Sequence, residues 1–271
     1  MSKDCFVLSP DRRWRVTYAP AANGKPGYEL VLTATAGEFT PRTLFSVQAL
    51  EPDPNISMLD CRAVWAGDSS GLYITIEPPE EPFFARTYFV DLSGKAKQLG
   101  SPWLNGLTVL APVPETDLLV AQDLAKPREV HLVSLDGGRR VTYTGLHNGL
   151  LFYEDATPGR ILLSEWSGGT KAGPMYLAST NDDHLNEIGV GWCPRFRPEA
   201  NSISFLRDSD EGLDLVEYSL DTDTSEVLTT LAGIAEAKDA LWVSSDTLLV
   251  LGVQRGRFEG ITFSIAFPAK K

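Results

Sequence analysis

Phe196-Arg197-Pro198-Glu199-Ala200-Asn201-Ser202-Ile203-Ser204-Phe205 is the stretch on which the fold of this chain turns. An aromatic residue precedes a turn rich in proline and asparagine, and the turn leads into an alternating apolar run. A second run follows at Leu213-Asp214-Leu215-Val216-Glu217-Tyr218-Ser219-Leu220-Asp221, and a third ends in Glu226-Val227-Leu228. Alternation of period two between turn residues marks short antiparallel strands.

Outward from this stretch the same unit recurs. Leu8-Ser9-Pro10-Asp11 precedes Trp14-Arg15-Val16-Thr17-Tyr18, and Trp65-Ala66-Gly67-Asp68-Ser69-Ser70-Gly71 precedes Leu72-Tyr73-Ile74-Thr75. Pro114-Glu115-Thr116-Asp117, Thr157-Pro158-Gly159 and Ser244-Ser245-Asp246 stand before three further apolar runs. The residues before the turns are Leu8, Trp65, Pro112, Tyr153, Phe196 and Trp242. They repeat roughly every 40 to 57 residues, the size of one propeller blade. The first interval is the longest, which predicts an insertion around Glu51-Pro52-Asp53-Pro54-Asn55.

One such unit buries too little apolar surface to stand alone, whereas face-to-face packing of several covers both faces of each sheet. The expected fold is therefore all-β: a β-propeller of about six blades of mostly four-stranded antiparallel sheets, a single domain over residues 1–271. Segments near Cys61–Ala63, Thr108–Leu110, Leu151–Tyr153 and Arg195–Phe196 are expected to line its axis. Too few residues precede Cys5-Phe6-Val7-Leu8 to supply an outer strand, so the last blade is expected to have three strands. One short helix is expected at Ile234-Ala235-Glu236-Ala237-Lys238.

With Ser9-Pro10-Asp11 before a strand, and with Val90-Asp91-Leu92-Ser93-Gly94 and Ser134-Leu135-Asp136-Gly137-Gly138 closing later ones, the repeat resembles that of TolB-like proteins. It resembles equally the propeller domains of prolyl oligopeptidase relatives. The resemblance covers nearly the whole chain, and it implies a WD-repeat-like propeller with a binding role. The peptidase relatives pair their propeller with a hydrolase domain, for which this chain has no room.

The 271 residues carry a net charge of −12. Nucleic acids and anionic membranes are held by clustered lysine and arginine, so neither is an expected partner. The acidic balance suits a basic protein partner. Three cysteines, Cys5, Cys61 and Cys193, do not make a disulfide framework. Without an apolar leader or a bilayer-length apolar run, the expected location is the cytoplasm.

Gly67-Asp68-Ser69-Ser70-Gly71 matches the Gly-x-Ser-x-Gly pattern of a hydrolase elbow. That chemistry needs a helix after the turn, and here a strand follows, so Ser69 is expected to be structural. Asp208-Ser209-Asp210-Glu211-Gly212-Leu213-Asp214 alternates carboxylates like a calcium loop but lacks its closing glutamate, and reads as a hairpin. His131, His147 and His184 lie in separate copies without zinc-ligand spacing, and His131 sits within a strand pattern. No catalytic residue, metal site or cofactor is expected. Trp65 and Trp242 hold equivalent positions and read as packing residues.

The candidate binding residues lie in between-blade connections: Trp103 and Asn105, His147 and Asn148, Trp192 and Arg195. Rigid aromatic and arginine side chains are favoured anchors for a partner, and loops on a firm scaffold carry recognition. The expected function is a non-enzymatic scaffold for protein–protein contact on its loop face, for example an inhibitor or immunity protein of a basic toxin. Two other functions stay open: a six-bladed lactonase or hydrolase with a metal in the channel, and a carbohydrate-binding propeller. The enzyme would need acidic side chains converging on inner strands, and Cys61-Arg62-Ala63-Val64 and Ala240-Leu241-Trp242-Val243 are poor in them.

Overall fold

A computed structural model describes residues 6–21, 28–37, 40–50, 61–77, 85–123, 125–168, 172–254 and 260–267. The expected insertion at 51–55 lies outside the described residues. The chain divides into two compact units, residues 1–142 and 143–271.

The first unit holds three four-stranded antiparallel sheets, each with its strands side by side in sequence order. The first sheet has β1 (Phe6–Leu8), β2 (Trp14–Pro20), β3 (Tyr28–Ala34) and β4 (Arg42–Ser46). The second has β5 (Cys61–Trp65), β6 (Gly71–Ile76), β7 (Arg86–Asp91) and β8 (Ala96–Gln98). The third has β9 (Thr108–Pro112), β10 (Leu118–Gln122), β11 (Glu129–Ser134) and β12 (Arg140–Thr144). One helical turn, α1 (Val47–Leu50), follows the first sheet and was not legible in the sequence.

Sheets packed on both faces need apolar residues on both, and β6 and β10 are buried along their whole length. Leu72 and Ile74 of β6 join Val16, Leu30 and Leu32 of the first sheet. Tyr73, between them, turns the other way to Val109, Leu119 and Val133 of the third. Polar bonds cross the same seams. The Trp65 indole donates to the Val7 carbonyl at 2.9 Å, and the Val109 amide donates to the Thr75 hydroxyl at 3.1 Å.

In the second unit one sheet runs through seven strands: β13 (Leu150–Thr157), β14 (Arg160–Trp166), β15 (Gly173–Ser179), β16 (Leu185–Phe196), β17 (Ser202–Asp208), β18 (Gly212–Ser219) and β19 (Thr224–Ala232). Its continuity comes from β16, 12 residues long, whose first part pairs with β15 and whose last part pairs with β17. The outer strand of one blade thus continues as the inner strand of the next. The final sheet has β20 (Ile234–Ser244), β21 (Thr247–Gln254) and β22 (Gly260–Ala266). Among the described residues it has three strands, as expected.

Ile234–Lys238 is no helix: it opens β20. Register shifts at Ile234/Glu236 and Ala237/Asp239 insert extra residues, so burial falls on Ile234, Ala237 and Ala240. A spacing of three through bulges mimics helical periodicity.

First hairpins come in two lengths. Four residues separate the paired ends in the sheets opened by β1, β5, β9 and the last part of β16, where Ser9, Ala66, Val113 and Arg197 bond to Trp14, Gly71, Leu118 and Ser202. Two residues suffice after β13 and β20, where Thr157 pairs with Arg160 and Ser244 with Thr247. The signature aspartates staple turns of two kinds, Asp11 in the first hairpin β1–β2 and Asp91 and Asp136 in the last hairpins β7–β8 and β11–β12. Asp11 accepts from the Ser9 hydroxyl and the Arg13 amide, Asp136 from the Ser134 hydroxyl and the Gly138 amide, and Asp91 from the Ser93 and Lys95 amides. These bonds hold all three carboxyls below the usual aspartate range.

Candidate functional site

Six loop residues were singled out, and each unit is taken by itself. In the first, a 3-10 turn at Pro102–Leu104 leads into β9, with a proline in its first positions fixing the backbone. Leu104 is buried and roots the turn, while Trp103 is 42% exposed. Its indole N–H donates to the Gly137 carbonyl at 2.8 Å, and the Arg140 guanidinium lies 5.7 Å from the ring centroid. The ring is both exposed and held. Asn105, next along, is exposed in extended conformation.

In the second unit the turn Gly145-Leu146-His147-Asn148-Gly149 precedes β13. It is held by Glu165 of β14, a buried carboxylate that the sequence hid as an ordinary polar position in a strand. Glu165 accepts from the backbone amides of His147, at 3.0 Å, and Gly149, and from the Tyr176 hydroxyl at 2.6 Å. Burial alone would raise its pKa, but these donors outweigh it and hold the carboxyl below its usual range. Tyr176, bonded to a charge in a desolvated position, is pushed above the usual phenol range. Asn148 takes a left-handed φ of 61°, a conformation asparagine tolerates better than most residues. The turn leaves Leu146 57% exposed. The exposed His147 ring stands 3.4 Å from the Glu187 carboxylate.

Trp192 and Arg195, expected in a between-blade connection, lie instead within strand β16, because its backbone pairs on without a break from β15 to β17. Trp192 is half-buried, pairs in register with Leu206, and packs against the cluster of Leu206, Leu213 and Trp242. Arg195 is held from all sides. It bonds Glu154 Oε2 and the Glu154 carbonyl at 2.9 Å each, the Ala240 carbonyl at 2.8 Å and Asp239 Oδ1 at 2.8 Å. Asp155 lies beside them, accepting from the Phe196 amide at 2.9 Å, and burial raises its pKa. Cys193, next to Arg195, is pushed up to about 12 by burial.

The expectation that inner strands are poor in acids is therefore corrected. β13 and β20 bring Glu154, Asp155 and Asp239 around Arg195. Register shifts at Tyr153/Asp155 and Ala237/Asp239 re-aim these side chains, which strict alternation could not foresee. The carboxylates close on a guanidinium, and among the described residues no group of three acid, histidine or cysteine ligands could hold a metal.

Other motifs resolve into structure. Ser69 is buried, with φ 61°, and its hydroxyl accepts from the Asp11 amide at 3.2 Å. Strand β6 follows it directly. Asp208–Gly212 is a tight hairpin in which Ser209 and Gly212 exchange backbone bonds. His131 is buried against Thr142 and Arg140. The Trp242 indole donates to the Ser204 hydroxyl at 2.8 Å, the counterpart of Trp65 on Val7.

These repeated antiparallel sheets, each with its inner strand joined to the next by a short hairpin, define a β-propeller. Comparison with solved structures shows the fold to be that of TolB-like β-propellers, shared with the propeller domains of peptidases. The β-propeller domain of the Trilobed protease from Pyrococcus furiosus is 11% identical over 97% of this chain and 81% of its own, with a TM-score of 0.56. A putative TolB from Agrobacterium tumefaciens is 11% identical over 84% of this chain and 80% of its own, with a TM-score of 0.53. An oligogalacturonate lyase in complex with manganese is 14% identical over 98% of this chain and 72% of its own, at 0.56. The chain spans 64% of the length of TolB from Acinetobacter baumannii. No protein-family model matches the sequence, and no curated protein matches it. At these identities the likeness is one of fold. No helix among the described residues is long and apolar enough to cross a membrane.

Proposed function

We propose that this chain is a non-enzymatic binding propeller that recognises another protein, one of basic surface, through its between-blade loops. The observation that carries the proposal is Trp103. A large ring 42% exposed, fixed by a hydrogen bond and flanked by Arg140, loses little conformational freedom when a partner covers it. The Leu146–Asn148 turn, stapled by buried Glu165, supports the same function in the second unit. The net charge of −12 favours a basic partner and disfavours phosphate backbones. Asn105 contributes as an adaptable polar neighbour. Trp192 and Arg195 contribute by holding the scaffold that carries the loops. Against the lactonase-type alternative stands the engagement of Glu154 and Asp239 by Arg195.

Resin-bound wild type and Trp103→Ala, matched by circular dichroism, should be challenged with the same cell extract. The expected result is a basic protein retained by wild type, identified by mass spectrometry, whose purified form binds Trp103→Ala at least tenfold more weakly. Equal affinity for both forms would remove Trp103 from the contact surface.

A further inference from the structure

A cavity of about 710 Å³ opens within the first unit, between the hairpin joining β5 to β6 and the hairpin joining β9 to β10. Its apolar wall is Tyr73, Phe89, Leu119 and Leu135. The Tyr73 and Phe89 rings lie 5.4 Å apart and tilted, a packed aromatic pair. Its rim carries three exposed carboxylates, Asp68, Glu115 and Asp117. Among the described residues no lysine or arginine lines it. Burial and the Asp68 charge both hold the Tyr73 phenol above its usual range, so the rim's field reaches the wall.

The second unit has the corresponding cleft between the hairpins β13–β14 and β16–β17, of about 500 Å³. That cleft is lined by Arg160 and Arg197 as well as Asp155 and Glu199. The fold therefore supplies a cleft between first hairpins, and the sequence makes this one purely anionic over an apolar wall where the second unit's carries both signs.

An apolar wall beneath carboxylates suits a side chain with a hydrocarbon stem and a cationic head. Lysine and arginine lay their stems on apolar surface while the charge stays at the wet rim. We infer that this cleft docks a lysine- or arginine-bearing segment of the partner protein, with the stems on the apolar wall and the charges at the rim. The inference rests on the protein-binding function proposed above, but it assigns a surface separate from Trp103. Anions are repelled, and the three carboxylates do not form a cluster that could hold a metal ion.

The test uses the whole chain and a fluorescein-labelled decapeptide alternating lysine and leucine, read by fluorescence anisotropy. A glutamate–leucine decapeptide is the charge control. Wild type should bind the lysine peptide, more weakly as salt rises, and should not bind the glutamate peptide. Glu115→Lys combined with Asp117→Lys should weaken binding at least tenfold. Both residues are exposed, and a Glu115→Gln, Asp117→Asn form that should weaken it several-fold guards against misfolding. Asp183→Lys combined with Glu226→Lys changes net charge equally at residues that do not line the cleft, and should leave binding within twofold. Equal loss in both double variants, no loss in the first, or no binding by wild type overturns the inference. Loss in Trp103→Ala with none in the cleft variant overturns it too, yet leaves the loop-based function standing.

Discussion

Arg197 shows how one residue position can join two blades. Its Nη1 meets Glu217 Oε1 at 2.8 Å, with both side chains at most 7% exposed, and its Nε donates to the Ser245 carbonyl at 3.0 Å. The guanidinium also lies 5.1 Å from the Trp242 ring centroid and 5.4 Å from that of Phe267. Glu217 in turn accepts from the Ser202 hydroxyl at 2.8 Å. A buried pair of this kind contributes little beyond an apolar isostere, but breaking it strands a buried charge. Glu217→Ala should therefore lower unfolding stability by about 3 to 5 kcal/mol, measured by chemical denaturation. Replacing both partners, Arg197→Met with Glu217→Leu, should recover most of that loss. A Glu217→Ala protein as stable as wild type would mean that the pair is solvated in solution. The same position was legible in the sequence only as part of a turn signature, because its partner lies in another strand 20 residues away.

At the scale of elements, the hairpins and the sixfold repeat were legible because each is local: turn residues and alternation sit within one short window. The long β16 was not, since Trp192 and Arg195 read as a between-blade connection. The strand nevertheless runs on through both, and Gly191 before them lets it approach its neighbour: a Cβ there would lie 2.4 Å from the Leu206 carbonyl oxygen. β20 was misread because its bulges changed the spacing of buried residues. Two of the three candidate connections, at Trp103–Asn105 and His147–Asn148, were legible from their tryptophan, glycine and asparagine, whereas Trp192 and Arg195 proved to lie within β16. What holds them, Glu165 and Gly137, depends on pairing across strands that no local pattern carries. Gly173 makes the dependence testable. A Cβ there would lie 1.9 Å from the Glu165 carbonyl oxygen, whereas one on Gly100 would meet nothing within 4 Å. Gly173→Ala should destabilise by about 1 to 3 kcal/mol, the range for overpacking, and should speed amide exchange at His147 and Gly149. Gly100→Ala should be near neutral. Equal melting temperatures for the two variants would show that β14 and β15 part easily.

Across the whole molecule, ionisation couples the fold to pH through two limbs of different origin. The turn aspartates Asp11, Asp68, Asp91, Asp136 and Asp246 are all held below their usual range by hydrogen bonds. Their contribution is present above the ordinary aspartate value and is lost as pH falls through the lower folded values. Asp155 opposes them, because burial raises its pKa and the folded state takes up its proton first. His131 acts at higher pH. Its ring is buried, with Nδ1 3.0 Å from the Thr142 hydroxyl, and burial followed by the Arg140 charge lowers its pKa to about 4. The Lys126 charge adds to that lowering and the Asp123 charge works against it. The unfolded imidazole protonates near its ordinary 6.5. Between those values the unfolded chain binds a proton that the folded chain refuses, so stability falls as pH falls, by up to about 3 kcal/mol. His131→Gln removes that proton. Unfolding free energies of wild type and variant, followed by urea denaturation from pH 7.5 to 4, should converge as pH drops through this window. Below it, both should share the steeper loss set by the turn aspartates. Parallel profiles above pH 4 would show that the imidazole titrates alike in both states, and that the acid limb belongs to the turns alone.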